Sequence, residues 1–456
     1  MSGAGKNAYD VVVVGDDTAA YVVASRLSER IDLKVLLIKP RAAQPEHLAS
    51  VVPFMRGHHS SYEAWNAAGA GEWSFYDLLP YFKRSEHVTG RSLTLRGRGG
   101  PIHVASPGFG SRATALLAAA VEIGERAAGD IGAGLEEGFG PVDVSMADGR
   151  PQPVSDAYLA PVAGRTNLTV VSGALLHRLN IAKDTVTGVD FSVGTQLTQV
   201  SAQEVVITAG AVASAHLLML SGIGPAIHLR RHGIDVVADL AGVGTNLHGH
   251  LVSEIIYRSA ATFDEPGGVI GLARSDPDMP GPDLQLRFGD LWRPRDGGSF
   301  AGRLRRCGVA IAVPHSRGSV RLASPMPSTA PLVDPASYDE RDLAAVTVGI
   351  RMARRIAGSD ALAGIYGAEV IPGPAIGEER ELRDYARRAV TVPTYPVGTL
   401  AMGEGPSGVV DRHLRVHSLR GVRVADGSII PAIPSADPTA TVCAIAERTA
   451  ELILHG

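Results

Sequence analysis

The chain has 456 residues, 45% hydrophobic and 20% charged, which is the composition of a folded globular protein with more than one core. Its formal net charge of −4 is small for this length and gives no electrostatic reason to expect nucleic acid or an anionic membrane as a partner. Two cysteines, Cys307 and Cys443, are too few for a disulfide framework and too far apart in the sequence for a zinc motif, so no metal is expected.

The opening MSGAGKNAYD is polar, and the apolar run after it is short, so it is interpreted as a strand and not as a signal peptide. No apolar stretch reaches the length needed to span a bilayer. A cytoplasmic location is therefore expected.

The first 40 residues follow the pattern of a β-α-β unit. Residues Tyr9–Gly15 read YDVVVVG, a buried parallel strand that enters a turn, and Leu33–Ile38 read LKVLLI, a second buried strand. Between them, Thr18–Glu29 place apolar residues at helical spacing. Such a unit begins a dinucleotide-type fold.

The pattern continues with a helix at Ser74–Glu86, alternating runs typical of antiparallel strands at Asn167–Gly173 and Gly188–Phe191, a buried strand at Glu204–Ala209 and a helix at Ala213–Ser221.

From Val252 to about Asp384 the style changes. Strand-like runs at Leu284–Phe288, Gly308–Val313 and Ser319–Leu322 precede a long helix at Glu340–Ala357, which favours an antiparallel sheet with helices on one face. The C-terminal part returns to the first style, with a strand at Val422–Ala425 and a helix at Ala440–Leu454.

Five segments, in order along the chain, resemble the glucose–methanol–choline (GMC) oxidoreductase family. They are Tyr9–Gly15, Met55–Glu86, Ala209–His250, Pro314–Pro325 and Tyr395–Ser435. The resemblance implies an α/β fold in which a discontinuous, Rossmann-like FAD-type domain faces a substrate domain built on an antiparallel sheet backed by helices. It also implies that the substrate lies between the domains, over the flavin ring.

On this basis the FAD-type domain is assigned to residues 1–90, 160–251 and 385–456. The substrate domain is assigned to residues 91–159 and 252–384.

The turn that should hold the diphosphate departs from the family pattern. A dinucleotide turn uses glycines so that backbone N–H groups can approach the pyrophosphate. Here it reads Gly-Asp-Asp-Thr-Ala-Ala over Gly15–Ala20, and only the first glycine remains. The carboxylates of Asp16 and Asp17 would repel a diphosphate. The structural alternative is that they cap the following helix.

The second strand ends in Lys39, where a carboxylate would accept the ribose hydroxyls. Lysine has only donors, so that contact is lost. Lys39 could bind a phosphate, or it could pair with Asp16 or Asp17 and fill the site, which is the interpretation favoured here. The Gly-Gly-Ser-Ser stretch that the resemblance places against the flavin is absent between Lys39 and Phe54.

The two catalytic positions that the resemblance implies are also changed. Its first histidine, before Pro-Val-Gly-Thr, is Tyr395 here, and its second His or Asn, after Ile-Pro-Ser, is Asp437. An ordinary tyrosine has a pKa of about 10 and an ordinary aspartate a pKa of about 4, so neither is a good base at neutral pH.

Some cofactor positions survive. The resemblance places Gly15, Asp426 and Gly427 beside the flavin nucleotide and Val171 near the adenine, if FAD is retained. For Val171, ordinary strand packing is an equally good interpretation.

Five residues are candidates for acid–base chemistry or substrate orientation: Tyr395, Asp437, Thr439, His250 and His315. Tyr395 could donate a proton or hydrogen bond to a carbonyl, Asp437 could act as a base if burial raises its pKa, and Thr439 could orient a substrate oxygen. Each also has a structural interpretation, such as helix capping for Asp437 or a loop position for His315.

The changes together predict a GMC-fold enzyme without a cofactor. It would catalyse cyclisation, elimination or isomerisation of a small molecule in the inter-domain cleft, in secondary metabolism. The first alternative is an FAD-dependent alcohol oxidase or dehydrogenase with an unusual flavin cradle, and the second is a non-catalytic binding protein. No nucleic acid or membrane partner is expected, and the oligomeric state is open.

Overall fold

The computed structural model describes residues 7–41, 53–106, 110–259, 268–288, 304–335, 338–389 and 395–455. In chain order the described strands are β1 (Ala8–Val14), β2 (Val35–Pro40), β3 (Glu86–Val88), β4 (Ile102–Ala105), β5 (Gly138–Pro141), β6 (Val144–Ala147), β7 (Arg150–Pro151), β8 (Leu168–Ala182), β9 (Thr185–Val193), β10 (Gln196–Ile207), β11 (Ile223–Gly224), β12 (Ala238–Asp239), β13 (Leu251–Arg258), β14 (Val269–Ala273), β15 (Leu284–Phe288), β16 (Leu304–Ile311), β17 (Ser319–Arg321), β18 (Leu332–Asp334), β19 (Glu369–Ile371) and β20 (Val422–Val424).

The described α-helices are α1 (Thr18–Leu27), α2 (Ser60–Ala67), α3 (Phe75–Ser85), α4 (Ser111–Glu122), α5 (Gly210–Leu220), α6 (Ala226–Arg231), α7 (Glu340–Ala357), α8 (Glu379–Ala389) and α9 (Thr439–His455). Across the described ranges, none of them has both the length and the apolar character that crossing a bilayer requires.

A mixed sheet, parallel except for β9, forms the core of the unit that contains the N-terminus. Strand β1 lies between β2 and β10, β8 extends the sheet beyond β2, and β20 extends it beyond β10. Residues Val11–Val14 are buried on both faces of the sheet, which is why this run is continuously apolar. Helices α1 and α9 pack against each other beside this sheet, so the C-terminal helix completes the N-terminal unit.

The prediction that residues 167–173 form an antiparallel strand is wrong in the direction of pairing. Leu168–Ala174 pair in parallel with β2, and only the rest of β8 pairs antiparallel with β9. One face of β8 is largely exposed, and exposure of one face produces alternation whichever direction the neighbouring strand runs.

A second sheet confirms the predicted antiparallel architecture. Its strand order is β19-β13-β16-β15-β14-β5, with every neighbouring pair antiparallel. Helix α7 packs on β15 and β16, and Gly349 on this helix permits the approach, because a Cβ there would lie 2.4 Å from Val309 Cγ1. The predicted bounds of this helix, Glu340–Ala357, are those observed.

The expected domain bounds stay a prediction. Within residues 91–159, β5 joins the second sheet, whereas β4, β6 and β7 form a separate four-stranded sheet with β3.

A buried cluster of charged side chains connects the segment that precedes α2 with β3 and with the loops on either side of β5. Arg96 Nη1 lies 3.2 Å from Glu86 Oε2, and its Nη2 lies 2.7 Å from Asp130 Oδ1 and also contacts Asp143. Arg56 Nη2 lies 2.6 Å from the other oxygen of Glu86. Two guanidinium groups are thus paired with three carboxylates in a place that is largely shielded from water.

Replacing Arg96 by Met should lower the free energy of unfolding by about 3–5 kcal/mol, because it leaves buried carboxylates without a cation. Urea unfolding of both proteins measures this change. The control is Arg30→Met, which breaks an exposed pair with Asp32 and should leave the unfolding midpoint unchanged. Equal midpoints for the Arg96 variant and the wild type would contradict the importance of the cluster.

Candidate active site

The carboxyl ends of β1, β10 and β20 lie side by side, at the edge where open α/β sheets bind their ligands. Gly15 directly follows β1, and a Cβ on it would lie 2.1 Å from the carbonyl oxygen of Thr208. Glycine is therefore required by the close approach of β1 to the end of β10, with or without a nucleotide.

Asp17 caps α1, as the structural alternative proposed. Its Oδ1 accepts hydrogen bonds from the backbone N–H groups of Ala19 at 3.1 Å and Ala20 at 3.5 Å. Burial, together with the negative charge of Asp426, raises the pKa of Asp17 to about 8. The carboxyl is thus held where its ionisation is costly.

Asp426 joins the end of β20 to the start of α5. Its Oδ2 accepts hydrogen bonds from Gly210 N at 2.8 Å and Ser214 Oγ at 2.7 Å, and its Oδ1 accepts one from Ser428 N at 2.8 Å. Burial raises its pKa as well. Gly427 follows in a short 3-10 turn. Both residues therefore have a structural role, and their contact with a flavin stays a prediction.

Lys39 pairs with Asp16, one of the two partners that the sequence leaves open. Its Nζ lies 2.9 Å from Asp16 Oδ1, which also accepts a hydrogen bond from the Tyr21 hydroxyl at 2.8 Å. Val171 pairs with Ile38 across β8 and β2 and packs against the core, so its contact with adenine also stays a prediction.

FAD, the cofactor that the family resemblance implies, needs free N–H donors for its diphosphate and a hydrogen-bond acceptor for its ribose. The described residues, in the positions they occupy, do not fit the adenosine diphosphate half of FAD. The N–H groups at the start of α1 that would meet phosphate oxygens are bonded to Asp17, and the group at the end of β2 is a lysine paired with Asp16. A diphosphate needs the Asp17 side chain to move or to be neutral.

Asp437 lies at the centre of a second polar group. Its Oδ1 lies 2.6 Å from Arg287 Nη2 and 3.8 Å from His250 Nδ1, and the residue is 5% exposed. Although burial opposes it, the positive charge of Arg287 and the proximity of His250 lower the pKa of Asp437 to about 2. The hypothesis that burial makes Asp437 a base is therefore wrong, because an ion-paired carboxylate is a very weak base.

Tyr395 lies beside this group. Protein atoms crowd its phenol although 45% of the residue is exposed, and this burial and the charge of Asp437 raise its pKa. The phenol therefore stays protonated at neutral pH and can donate a hydrogen bond. Its backbone lies in the left-handed region, with φ +84°, which is unusual for a bulky residue.

His250 is buried and anchored. Its Nε2 lies 2.9 Å from the carbonyl oxygen of Pro434, to which it donates a hydrogen bond, and its Nδ1 lies on the side of Asp437. Thr439, 8% exposed, begins α9 two residues after Asp437, and its contact with a substrate stays a prediction.

The structure does not bring His315 to this group. His315 is exposed near the start of α7, where its backbone N–H donates to Asp342 at 2.8 Å, and the described residues show no contact between it and Asp437. Sequence order alone does not place this histidine, since a Pro-His-Ser turn suits a helix start as well as a substrate contact.

His248, two residues before His250, is buried. Its Nδ1 lies 2.6 Å from the carbonyl oxygen of Asn246, and its Nε2 accepts a hydrogen bond from Ile433 N at 3.0 Å. Burial and the charge of Arg317 lower its pKa to about 3. It is a neutral link between two loops.

Sequence reasoning missed Arg287. Within Leu284–Phe288, the polar residues Gln285 and Arg287 alternate with apolar ones and so share a face of the sheet. Gln285 Nε2 donates to Ser435 O at 3.1 Å, and its Oε1 accepts from Arg287 Nε. Two polar side chains on one face of a buried strand were the available signal.

A cavity of about 600 Å³ lies beside this region, and none of Tyr395, Asp437, His250 and Arg287 lines it. His58 connects the two places, because it lines the cavity while its backbone N–H donates to Ser435 Oγ at 2.8 Å. A substrate position in the inter-domain cleft stays a prediction.

Replacing Arg287 by Met should destabilise the protein by about 2–4 kcal/mol at pH 7, because it leaves Asp437 buried without its cation. A lowered pKa contributes stability that is present above pH ~4 and is lost as the pH falls toward 2. The difference between wild type and variant should therefore shrink as the pH is lowered from 7 to 3. Denaturant unfolding at several pH values measures it, and a difference that does not change with pH would contradict the pairing.

This chain is similar in sequence and in fold to known proteins. Family models described as GMC oxidoreductase match residues 51–252 and 314–446. The oxygen-dependent choline dehydrogenase of Brucella canis is 32% identical over 438 residues, which is 88% of this chain and 79% of that protein. The crystal structure of pyridoxine 4-oxidase from Mesorbium loti superposes with a TM-score of 0.89 at 27% identity, covering 98% of this chain and 99% of that one. An FAD-dependent oxidoreductase from Chaetomium thermophilum, at 22% identity and a TM-score of 0.87, covers 98% and 99% and shows the same fold. With a relative of this identity over most of its length, the chain belongs to the GMC oxidoreductase family.

Proposed function

We propose that this chain is an oxidoreductase that acts on the CH–OH group of a small molecule, with FAD as its cofactor. The observation that carries the proposal is the match, over 88% of the chain, to an oxygen-dependent choline dehydrogenase. Pyridoxine 4-oxidase and an FAD-dependent oxidoreductase among the similar structures support the same class of chemistry. This alternative now has more support than the cofactor-free reaction that the sequence favoured.

The chain's own residues suit the substrate side of such a reaction. Tyr395 is a protonated phenol and can donate a hydrogen bond to a substrate oxygen. Asp437 stays ionised and holds Arg287 in place through the contact at 2.6 Å. His250 Nδ1 lies 3.8 Å from Asp437 Oδ1, so the imidazole and the carboxylate are close enough to act on the same substrate. FAD, when bound, supplies the electron acceptor.

The second candidate is a non-redox reaction without a cofactor. The favouring observation is that Asp17 bonds to the first turn of α1 and Asp16 pairs with Lys39, so the protein itself satisfies the groups that would meet the nucleotide. Such an enzyme would use the same Tyr395 and His250 to orient and protonate a substrate.

The visible spectrum of the purified protein, before and after addition of excess FAD and removal of the unbound fraction, separates the two candidates. We expect a flavin spectrum after FAD addition at close to one flavin per chain. A protein that stays colourless at high FAD concentration would contradict the FAD-dependent proposal and favour the non-redox candidate.

Tyr395→Phe should lower kcat by ~10- to 100-fold with little change in folding, because it removes one hydrogen-bond donor from the reacting region. Turnover of a panel of small alcohols with a dye acceptor measures it, after FAD loading. Tyr76→Phe is the matched control, since Tyr76 is 62% exposed. Equal turnover in the Tyr395 variant and the wild type would exclude a catalytic role for this phenol.

A further inference from the structure

Asp17 lies where two helices begin. Its Oδ1 accepts hydrogen bonds from the first turn of α1 at 3.1 and 3.5 Å. Its Oδ2 reaches toward the start of α5, since a Cβ built on Gly210 would lie 3.7 Å from this oxygen. One carboxyl group thus spans the gap between the two helix starts, next to the end of β1.

The charges around this carboxyl are mostly of its own sign. Asp426 and Asp16 both add negative charge beside it, and Lys39 is already paired with Asp16 at 2.9 Å. An incoming phosphate would therefore meet a carboxyl group in place of free N–H donors. Glycine at this position would leave the N–H groups of Ala19 and Ala20 exposed to a ligand.

We propose that the Asp17 side chain takes the place of a dinucleotide diphosphate and sets the affinity of this edge of the sheet for FAD and ADP. Removing its charge strengthens the binding of both ligands. This inference rests on the proposed function, because it identifies the residue that limits the binding of the proposed cofactor.

The test compares the wild type with two variants. Asp17→Gly removes the carboxyl group and the helix cap together, whereas Asp17→Asn removes the charge and keeps the cap, so at least one folded variant is expected. Asp10→Asn is the matched control. Asp10 lies near the amino end of β1, at the opposite end of the strand from Asp17, and its Oδ2 accepts a hydrogen bond from Lys34 N at 2.7 Å.

Binding of FAD, ADP and riboflavin is measured by titration calorimetry at pH 8.5, where Asp17 is largely ionised. We expect both Asp17 variants to bind FAD and ADP ~10-fold or more tightly than the wild type, because a carboxylate no longer faces the phosphates. Riboflavin has no phosphate, so its titration should be the same for every protein. Asp10→Asn should behave as the wild type does.

The outcomes separate this inference from the proposed function. Tighter FAD binding in the Asp17 variants than in the wild type supports the inference. It does so even when the wild type binds no FAD, but the absence of binding in the wild type would contradict the FAD-dependent proposal. Equal FAD and ADP affinities for the wild type and both variants, equal absence of binding included, would overturn the inference. A wild type that binds FAD as tightly as both variants would support the proposed function alone.

Discussion

The parallel contact between β1 and β10 is the constraint on which this structure depends. It brings the end of β1 so close to Thr208 that only glycine fits at position 15. The same contact places the starts of α1 and α5 side by side and leaves room between them for a carboxyl group. Asp17 and Asp426 both lie at this edge, and between them they satisfy the N–H groups of Ala19, Ala20, Gly210 and Ser428.

This constraint changes how surviving motif residues should be interpreted. Gly15 is required by strand packing, and Asp426 is required to hold α5 against β20. Neither residue therefore indicates by itself that a flavin is bound. The residues that distinguish the two cases are those at the ligand-facing positions, namely Asp17 and Lys39.

Two aspartates show how strongly neighbours control ionisation. Asp17 faces Asp426, and its pKa is raised to about 8, whereas Asp437 faces Arg287, and its pKa is lowered to about 2. Asp17 is half-buried and Asp437 is buried, so loss of water alone would raise the pKa of each. The charge of the partner decides the difference, and Arg287 lies 150 positions away from Asp437 along the chain.

This distance explains what could be predicted from the sequence. Local patterns were sufficient for the opening β-α-β unit, for α7 and for the pairing of Lys39 with an acid of the first turn, since each depends on periodicity or on neighbouring strand ends. The direction of β8, the contact of Arg287 with Asp437 and the burial of His248 depend on tertiary packing. One-sided exposure hid the first, and no local pattern specifies which distant charge will meet Asp437.

The backbone of Tyr395 has a consequence for how this site can change. With φ at +84°, it lies in the left-handed region, which glycine adopts freely and bulky side chains rarely adopt. Substitution by glycine would therefore relieve the backbone while it removes the phenol. A side chain that is kept at this position against backbone strain is typical of a residue that contacts a ligand.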